Sequence, residues 1–333
     1  MGAGAVGSLI GGLLAQTGSE IRLVGRGEHI QRIRYAGLQI DGVRGEVRVA
    51  ISASENLATL AECDVVLVSV RLPDTITAIE AAMNYLSPKC VLVSLQNGVD
   101  GPRLIGEATG SDRIVAGVVM LGVSYLQPGI VTFSSDGFVA IGMATRGPLQ
   151  ALQTVAGLLE SALRIEVVDD IWSALWAKVV INTDMPILAL TGRKYPAGLL
   201  DPSIHRLALE AAQEGLGILD MASIGRPPTL VTSALEDKLA LLRLPDDELR
   251  SKVNPETSAI VPSSLQGLLR GRRQETRYIN GALVNLARSM GRSAPTNEAL
   301  TYLAKRLELP AFDFLAPAEL LDAVATSQGH QDL

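Results

Sequence analysis

Histidine and cysteine are scarce in this chain, with three of one and two of the other in 333 residues. His29, His205 and His330 fall beside a strand end, in a helical segment and in the terminal tail. A histidine acid–base centre is therefore not expected, and without paired His or Cys spacing no metal is expected either. Cys63 and Cys90 each head an apolar, strand-like run, which reads as reduced core thiols and not as a disulfide framework. No apolar run reaches the roughly 18 residues that span a bilayer; "DVVLVSV" and "IVAGVVMLGVSYL" are interrupted by Gly and Ser and read as buried strands, so no membrane association is expected. Positive charge is not in excess. A net charge of −6 and a pI near 5.3 offer a polyanion no general attraction, and the one basic cluster, "LLRGRRQE", is short and contains an acid, so nucleic-acid binding is not expected. With no charged-then-apolar leader, the expected compartment is cytoplasmic. What remains is a globular composition, 47% hydrophobic and 19% charged, with length for about two domains.

The chain opens "MGAGAVGSLIGG", and Gly2, Gly4 and Gly7 with Ala5 and Val6 spell G-x-G-x-x-G. In a dinucleotide site the first glycine turns the chain out of a strand, the second admits a pyrophosphate to the backbone, and the third lets the following helix pack closely. Here the motif has only Met1 ahead of it, so the expected first strand is apparently missing. The rest follows the expected order: a helix from Ala5 to about Ala15 closed by Gly18, then the short strand "EIRLVGR". Where an NAD site would place an acid, this chain has Arg26, whose guanidinium suits a 2'-phosphate and favours NADP; Glu28 would be the ribose acid if the strand ran two residues further. "CDVVLVSV", a helix over about 74–86 and "CVLVSLQNG" then read as a parallel crossover unit, and ligands collect beyond the carboxyl ends of such strands. Arg71 and Asn97 stand at two such ends. The segment 113–143 reads as three strands joined at Pro128-Gly129 and Asp136-Gly137, forming the antiparallel end of the sheet.

After "IEVVDD" the pattern becomes helical, in "IWSALWAKVVINTDMPILALTG", "DPSIHRLALEAAQEGLGILDMASI" and "QETRYINGALVNLARSM". The expected architecture is α/β: a Rossmann-type doubly wound sheet in residues 1–168, an all-helical domain in 169–310, and a C-terminal tail, 311–333, partly helical and loose at its end. Lys178 stands in mid-helix among tryptophans and aliphatic residues, where an ammonium is costly unless paired, used, or snorkelled to water. Asn182, four residues on, shares its face. Together they could hold a carbonyl oxygen and a neighbouring hydroxyl. The segment "GALVNLARSM" offers an apolar face to a second copy, as in a homodimer.

The ordered set "GAGAVG", "LVGR", "SLQNG", "PGIV", "VVDDIWSALWAKVVIN", "ALTG", "SSLQGLLRGRRQE", "YINGALV" and "PTNEAL" resembles the ketopantoate reductases (2-dehydropantoate 2-reductases) over nearly the whole chain. The resemblance implies hydride transfer from NADPH to the ketone carbon of a small-molecule 2-oxo acid. By matching position it makes Lys178 the catalytic acid and places Asn182 by the reacting group. It puts Glu275 on the substrate's distal hydroxyl, Ser263 or Ser264 on its carboxylate, and Asn97 by the nicotinamide. Three places depart from the family pattern. "NTDMPILALTG" is one residue short and adds the acid Asp184, which would repel a bound acid unless turned away or neutralised. "SSLQG" is also shortened, and Arg277 stands where an acid is usual, either clamping a second carboxylate or lying on the surface. Two alternatives stay open: a non-catalytic NADP-binding homologue, and a related reductase acting on another 2-oxo acid or an imine.

Overall fold

A computed structural model describes residues 1–254, 259–308 and 312–329 and divides the chain into two compact units, Met1–Leu175 and Trp176–Leu333. The amino-terminal unit starts with helix α1, Ala5–Gln16, whose residues from Gly7 to Leu14 are all buried. Gly18, at φ +90°, closes it as expected. Then come β1 (Arg22–Val24), α2 (Glu28–Ala36), β2 (Leu38–Gly42), β3 (Val47–Val49) and β4 (Ser52–Ser54). The crossover unit is β5 (Val65–Val68), α3 (Thr75–Ala82) and β6 (Val91–Ser94), followed by α4 (Asp100–Thr109). The unit ends with β7 (Ile114–Gln127), β8 (Ile130–Met143), α5 (Leu149–Glu160) and β9 (Ile165–Val167). Helix α6, Ile171–Ile181, contains the division between the units.

The large sheet runs β3-β2-β8-β7-β6-β5, with β9 added beside β8. Strands β5, β6 and β7 are parallel and β7–β8 antiparallel. β1 pairs in parallel with β4, in a separate two-stranded ribbon. Between β1 and β5 lies the backbone of Met1–Ala3. The amides of Gly2 and Ala3 both donate to Val24 O (2.8 and 3.1 Å), and Ser69 N donates to Met1 O (2.9 Å). These residues bridge the two strands just ahead of the glycine turn. A cavity of about 400 Å³ borders them, lined by Leu23, Val24, Cys63, Val66 and Leu67 among others.

Close packing of α1 on the strands depends on Gly11 and Gly12. A Cβ on Gly11 would come within 2.7 Å of a Leu23 methyl, and one on Gly12 within 2.7 Å of an Ile40 methyl. His29 is buried at the start of α2. Its Nδ1 accepts from the Gly129 amide (2.9 Å), so Nε2 carries the ring proton towards Ser8 Oγ (3.0 Å). Cys90 is buried ahead of β6, where burial pushes its thiol pKa up to about 12; both cysteines are free.

One expectation fails in this unit. Residues 113–143 form two 14-residue strands, not three, because Asp136-Gly137 is a bulge inside β8 and not a turn. Asp136 is clamped by Arg44 (2.8 and 3.0 Å), and the backbone at Gly137 passes so close to Met120 O that a Cβ would stand 2.1 Å from it.

The second unit contains α7 (Met185–Leu190), β10 (Tyr195–Pro196), α8 (Pro202–Met221), α9 (Leu230–Leu242), α10 (Asp246–Lys252), β11 (Ala259–Ile260), α11 (Ser263–Leu269), α12 (Asn280–Ser289), α13 (Pro295–Leu303) and α14 (Pro317–Gly329). Among the described residues it is helical apart from the two-residue antiparallel pairing of β10 with β11. Capping is explicit where helices start abruptly: Asp201 accepts from the amides of Ser203 and Ile204 (3.0 and 3.4 Å), and Thr229 accepts from that of Thr232 (3.1 Å). The run expected as one helix from Ile171 breaks after Ile181. Pro186 has no amide to give the carbonyl of Asn182, which accepts instead from Met185 N at 3.1 Å.

The apolar side of α12 is covered within the chain, with Ala282, Leu283, Val284 and Ala287 all buried. That corrects the expectation that it faces a second copy. Most of the tail is ordered as α14, whose Leu320 and Val324 are buried and which packs against α8 and α13. The boundary expected after residue 310, and His330, lie outside the described residues. Among the described residues no helix is long and apolar enough to cross a membrane.

Candidate active site

In the amino-terminal unit the glycine motif divides into three physical roles. Gly2 has φ +92° and lies so close to the β5 connection that a Cβ would meet Val70 N at 2.4 Å. A Cβ on Gly7 would stand 2.4 Å from Ser69 Oγ and 2.5 Å from Gly2 O. Gly4 is different, because its nearest neighbour would be 4.0 Å away, leaving open space above the backbone. Ala5 and Val6 open α1, whose first turn has no acid and whose Gly4 cap provides no side chain. An N-terminus of this kind, with free approach at Gly4, fits the pyrophosphate of a dinucleotide.

β1 ends at Val24, so Arg26 lies exposed in the loop before α2, and Glu28 belongs to the first turn of α2, 3.8 Å from Arg32. The expected alternative of Glu28 at a strand end does not hold. Glu55, which carries no motif signal, follows β4 and accepts from the Gly27 amide at 2.5 Å. Because β4 runs parallel to β1, both carboxyl ends deliver their loops to one place. Arg71 is half-buried beyond β5, capping the turn Leu72–Asp74, and Asn97 follows β6. Gln96 ties these two ends together by donating to Val70 O (2.9 Å) and Thr75 Oγ1 (2.6 Å). Within "SLQNG" the turn signal singles out Asn97 and gives no sign of Gln96.

In the helical unit the polar groups gather around the C-terminal end of α6. Lys178 is half-buried, and desolvation, reinforced by the nearby Lys238 cation and opposed by Asp184, lowers its pKa from the ordinary 10.5 to about 8. Asn182 is buried one turn on and donates its amide to Lys178 O (3.1 Å). Asp184, the acid that departs from the family pattern, is neutralised: Lys238 Nζ on α9 donates to its Oδ2 at 2.5 Å, with both side chains under 10% exposed. The Lys238 ammonium also stands 4.1 Å from the centre of the Tyr195 ring. Burial acts to lower the Lys238 pKa, but Asp184 and Tyr195 outweigh it and hold it above the usual lysine range.

No motif marks Lys238, yet the sequence carries a signal for it. It interrupts the buried stripe Val231, Leu235, Leu242 at helical spacing, the position where an unpaired lysine does not belong.

Glu275 is buried in the connection between α11 and α12. Ser263 and Ser264 open α11: Ser263 Oγ stands 3.9 Å from Met185 Sδ on α7, and Ser264 is the more deeply buried of the two. Arg277 is exposed and turned onto its neighbour Tyr278, its guanidinium 4.4 Å from that ring's centre, which is the surface alternative of the two weighed for it. Asn280 braces the site from beneath, donating to Thr183 O (2.9 Å) and to Asn297 Oδ1 (2.9 Å). Among the described residues no group of three or more His, Cys, Asp or Glu is placed to hold a metal.

A Rossmann-like sheet carrying a glycine turn, followed by a helical unit with a buried lysine, defines a two-unit oxidoreductase. The family model "Ketopantoate reductase PanE/ApbA" matches residues 1–146, and its C-terminal counterpart matches residues 170–308. The chain is 30% identical over 313 residues to the 2-dehydropantoate 2-reductase of Pyrococcus horikoshii, covering 92% of this chain and 96% of that one. It is 29% identical to the Archaeoglobus fulgidus enzyme of the same name, with the same coverage. Among solved structures, a PanE/ApbA family ketopantoate reductase from Ralstonia eutropha JMP134 superposes with a TM-score of 0.76 at 27% identity, over 92% of this chain and 97% of that one. A ternary complex of D-mandelate dehydrogenase with NADH and anilino(oxo)acetate shares the fold with a TM-score of 0.78 at 22% identity, covering 92% and 96%. The chain belongs to the ketopantoate reductase PanE/ApbA family, oxidoreductases acting on a CH–OH group.

Proposed function

We propose that this protein reduces 2-dehydropantoate to pantoate with NADPH, using Lys178 as the acid. The supporting observation is the ammonium of Lys178 in the last turn of α6, one turn before the buried Asn182 and lowered to a pKa of about 8, where a lysine can both carry and release a proton near neutral pH. When bound, the nicotinamide supplies the hydride for the ketone carbon. The protein supplies the rest. Gly2, Gly4, Ala5, Val6 and Gly7 receive the pyrophosphate, Arg26 the 2'-phosphate and Arg71 further phosphate charge, while Asn97 stands by the nicotinamide. Lys178 stabilises the negative charge growing on the carbonyl oxygen and donates its proton there, an effect of about a hundred- to ten-thousand-fold. Asn182 orients the reacting group, Glu275 accepts the distal hydroxyl of the substrate, and Ser263 or Ser264 donates to its carboxylate. Asp184 does not oppose that carboxylate, because Lys238 cancels its charge.

The test follows NADPH oxidation with 2-dehydropantoate and a panel of branched and dicarboxylic 2-oxo acids. Turnover with 2-dehydropantoate, tenfold or more above the others in kcat/KM, is expected. Activity on none of them, or only in the presence of an amine, would refute the proposal. Arg26 carries the cofactor preference, so NADPH should be favoured over NADH.

A further inference from the structure

We propose that Asp184 and Lys238 are positioning residues for Lys178, a buried pair of opposite charges that together fix the field in which that ammonium works. The proposal rests on the reading of Lys178 as the acid. Its geometric ground is independent of that reading. The ion pair is 2.5 Å long, its two side chains are 4% and 7% exposed, and Asp184 sits two residues beyond Asn182, on the turn that Pro186 imposes at the end of α6. Tyr195, on β10, lies against the ammonium of Lys238 and closes that side. Of the other elements packed on this end of α6, α12 contributes the neutral Asn280. α8 contributes Glu214, whose carboxylate is held by the amides of Thr296 and Asn297 (2.9 and 2.8 Å). The two members of the pair act on Lys178 in opposite directions: Lys238 disfavours a second ammonium and Asp184 favours it.

A merely structural pair and a field-setting pair make different predictions. Removing one member of a buried pair destabilises the protein whichever member is removed. Only a field-setting pair shifts Lys178 in opposite directions. The experiment measures the titration of the Lys178 amine directly, by trace acetylation with acetic anhydride over pH 6–11 and mass spectrometry of the Lys178 peptide, in the full-length protein. Half-titration near 8 is expected for the parent. Asp184→Asn should move it down by about one pH unit and Lys238→Met up by about the same amount. Lys238→Arg, which keeps the cation, should leave it in place. The double variant Asp184→Asn/Lys238→Met removes both charges without stranding either, so it provides a folded protein if a single variant does not fold; it should return to within about half a pH unit of the parent.

The alkaline limb of kcat should follow the same order, which no loss of folding imitates. Single variants that both leave the titration unmoved, or move it in one direction, overturn the proposal, as does a double variant displaced by a full unit. If Lys178→Ala keeps its turnover, the catalytic reading fails while the labelling result still decides whether the pair sets the field.

Discussion

Replacing Lys178 by Met keeps an unbranched side chain of similar length and deletes the charge, so its effect on stability isolates the cost of burying the ammonium. In the folded protein that group loses its proton at about pH 8; in the unfolded chain it does so near the ordinary 10.5. Below pH 8 both states are protonated and the folded state bears the whole cost of desolvation. At about 1.4 kcal/mol per pH unit the fall corresponds to an upper limit of about 3 kcal/mol. Because Lys178 is only partly shielded from water, about 1–3 kcal/mol is the working figure. Between pH 8 and 10.5 the unfolded chain holds a proton that the folded one has released, so the parent gains stability as pH rises and the advantage of the variant shrinks. Urea unfolding at pH 7 and at pH 10.5 measures it. Lys178→Met should be more stable than the parent at pH 7 by this amount, with little difference at pH 10.5. A variant less stable at pH 7, or a gap that does not close with pH, would refute the assignment of a buried ammonium.

Other outcomes follow from single side chains. Gly7→Ala should destabilise the amino-terminal unit by about 1–3 kcal/mol, because its Cβ has to displace Ser69 or the Gly2 carbonyl. Gly4→Ala meets nothing in the protein and should leave the melting temperature unchanged while raising the dinucleotide Kd tenfold or more, read by calorimetry. Arg26→Ala should raise KM for NADPH by about 10- to 100-fold and leave KM for NADH within about threefold, since only the first carries the 2'-phosphate. Glu275→Gln should raise KM for 2-dehydropantoate about tenfold or more and alter kcat less, because its proposed role is to bind the distal hydroxyl.

Much of the fold is legible because it is written locally. The small, apolar α1 with Gly18 beyond it, and the two-sided apolar strands β5 and β6, depend on neighbours in sequence. Asp136-Gly137 misleads because its backbone is fixed by a partner: Arg44, some ninety residues away, holds Asp136, and a bulge opposite Leu121 absorbs the extra residue. The helix break at Asn182–Asp184 is written in Pro186, but the strongly apolar run around it masks the signal. The candidate site shows the same division. Lys178 and Asn182 share a helix face and announce themselves by spacing. The partner that neutralises Asp184 comes from 54 residues further on, and only its intrusion on the apolar stripe of α9 betrays it. Glu55 reaches the Arg26 loop through the parallel pairing of β1 with β4, and β4 is a three-residue strand too short to be recognised in sequence.

The central claim is that the Lys178 ammonium gives the proton to the nascent alkoxide. It is tested most directly by steady-state reduction of 2-dehydropantoate by Lys178→Ala, with NADPH affinity measured alongside. A fall in kcat of about a hundredfold or more, with the Kd for NADPH within about threefold of the parent, is the expected result. Turnover at the parental rate with intact cofactor binding would contradict it.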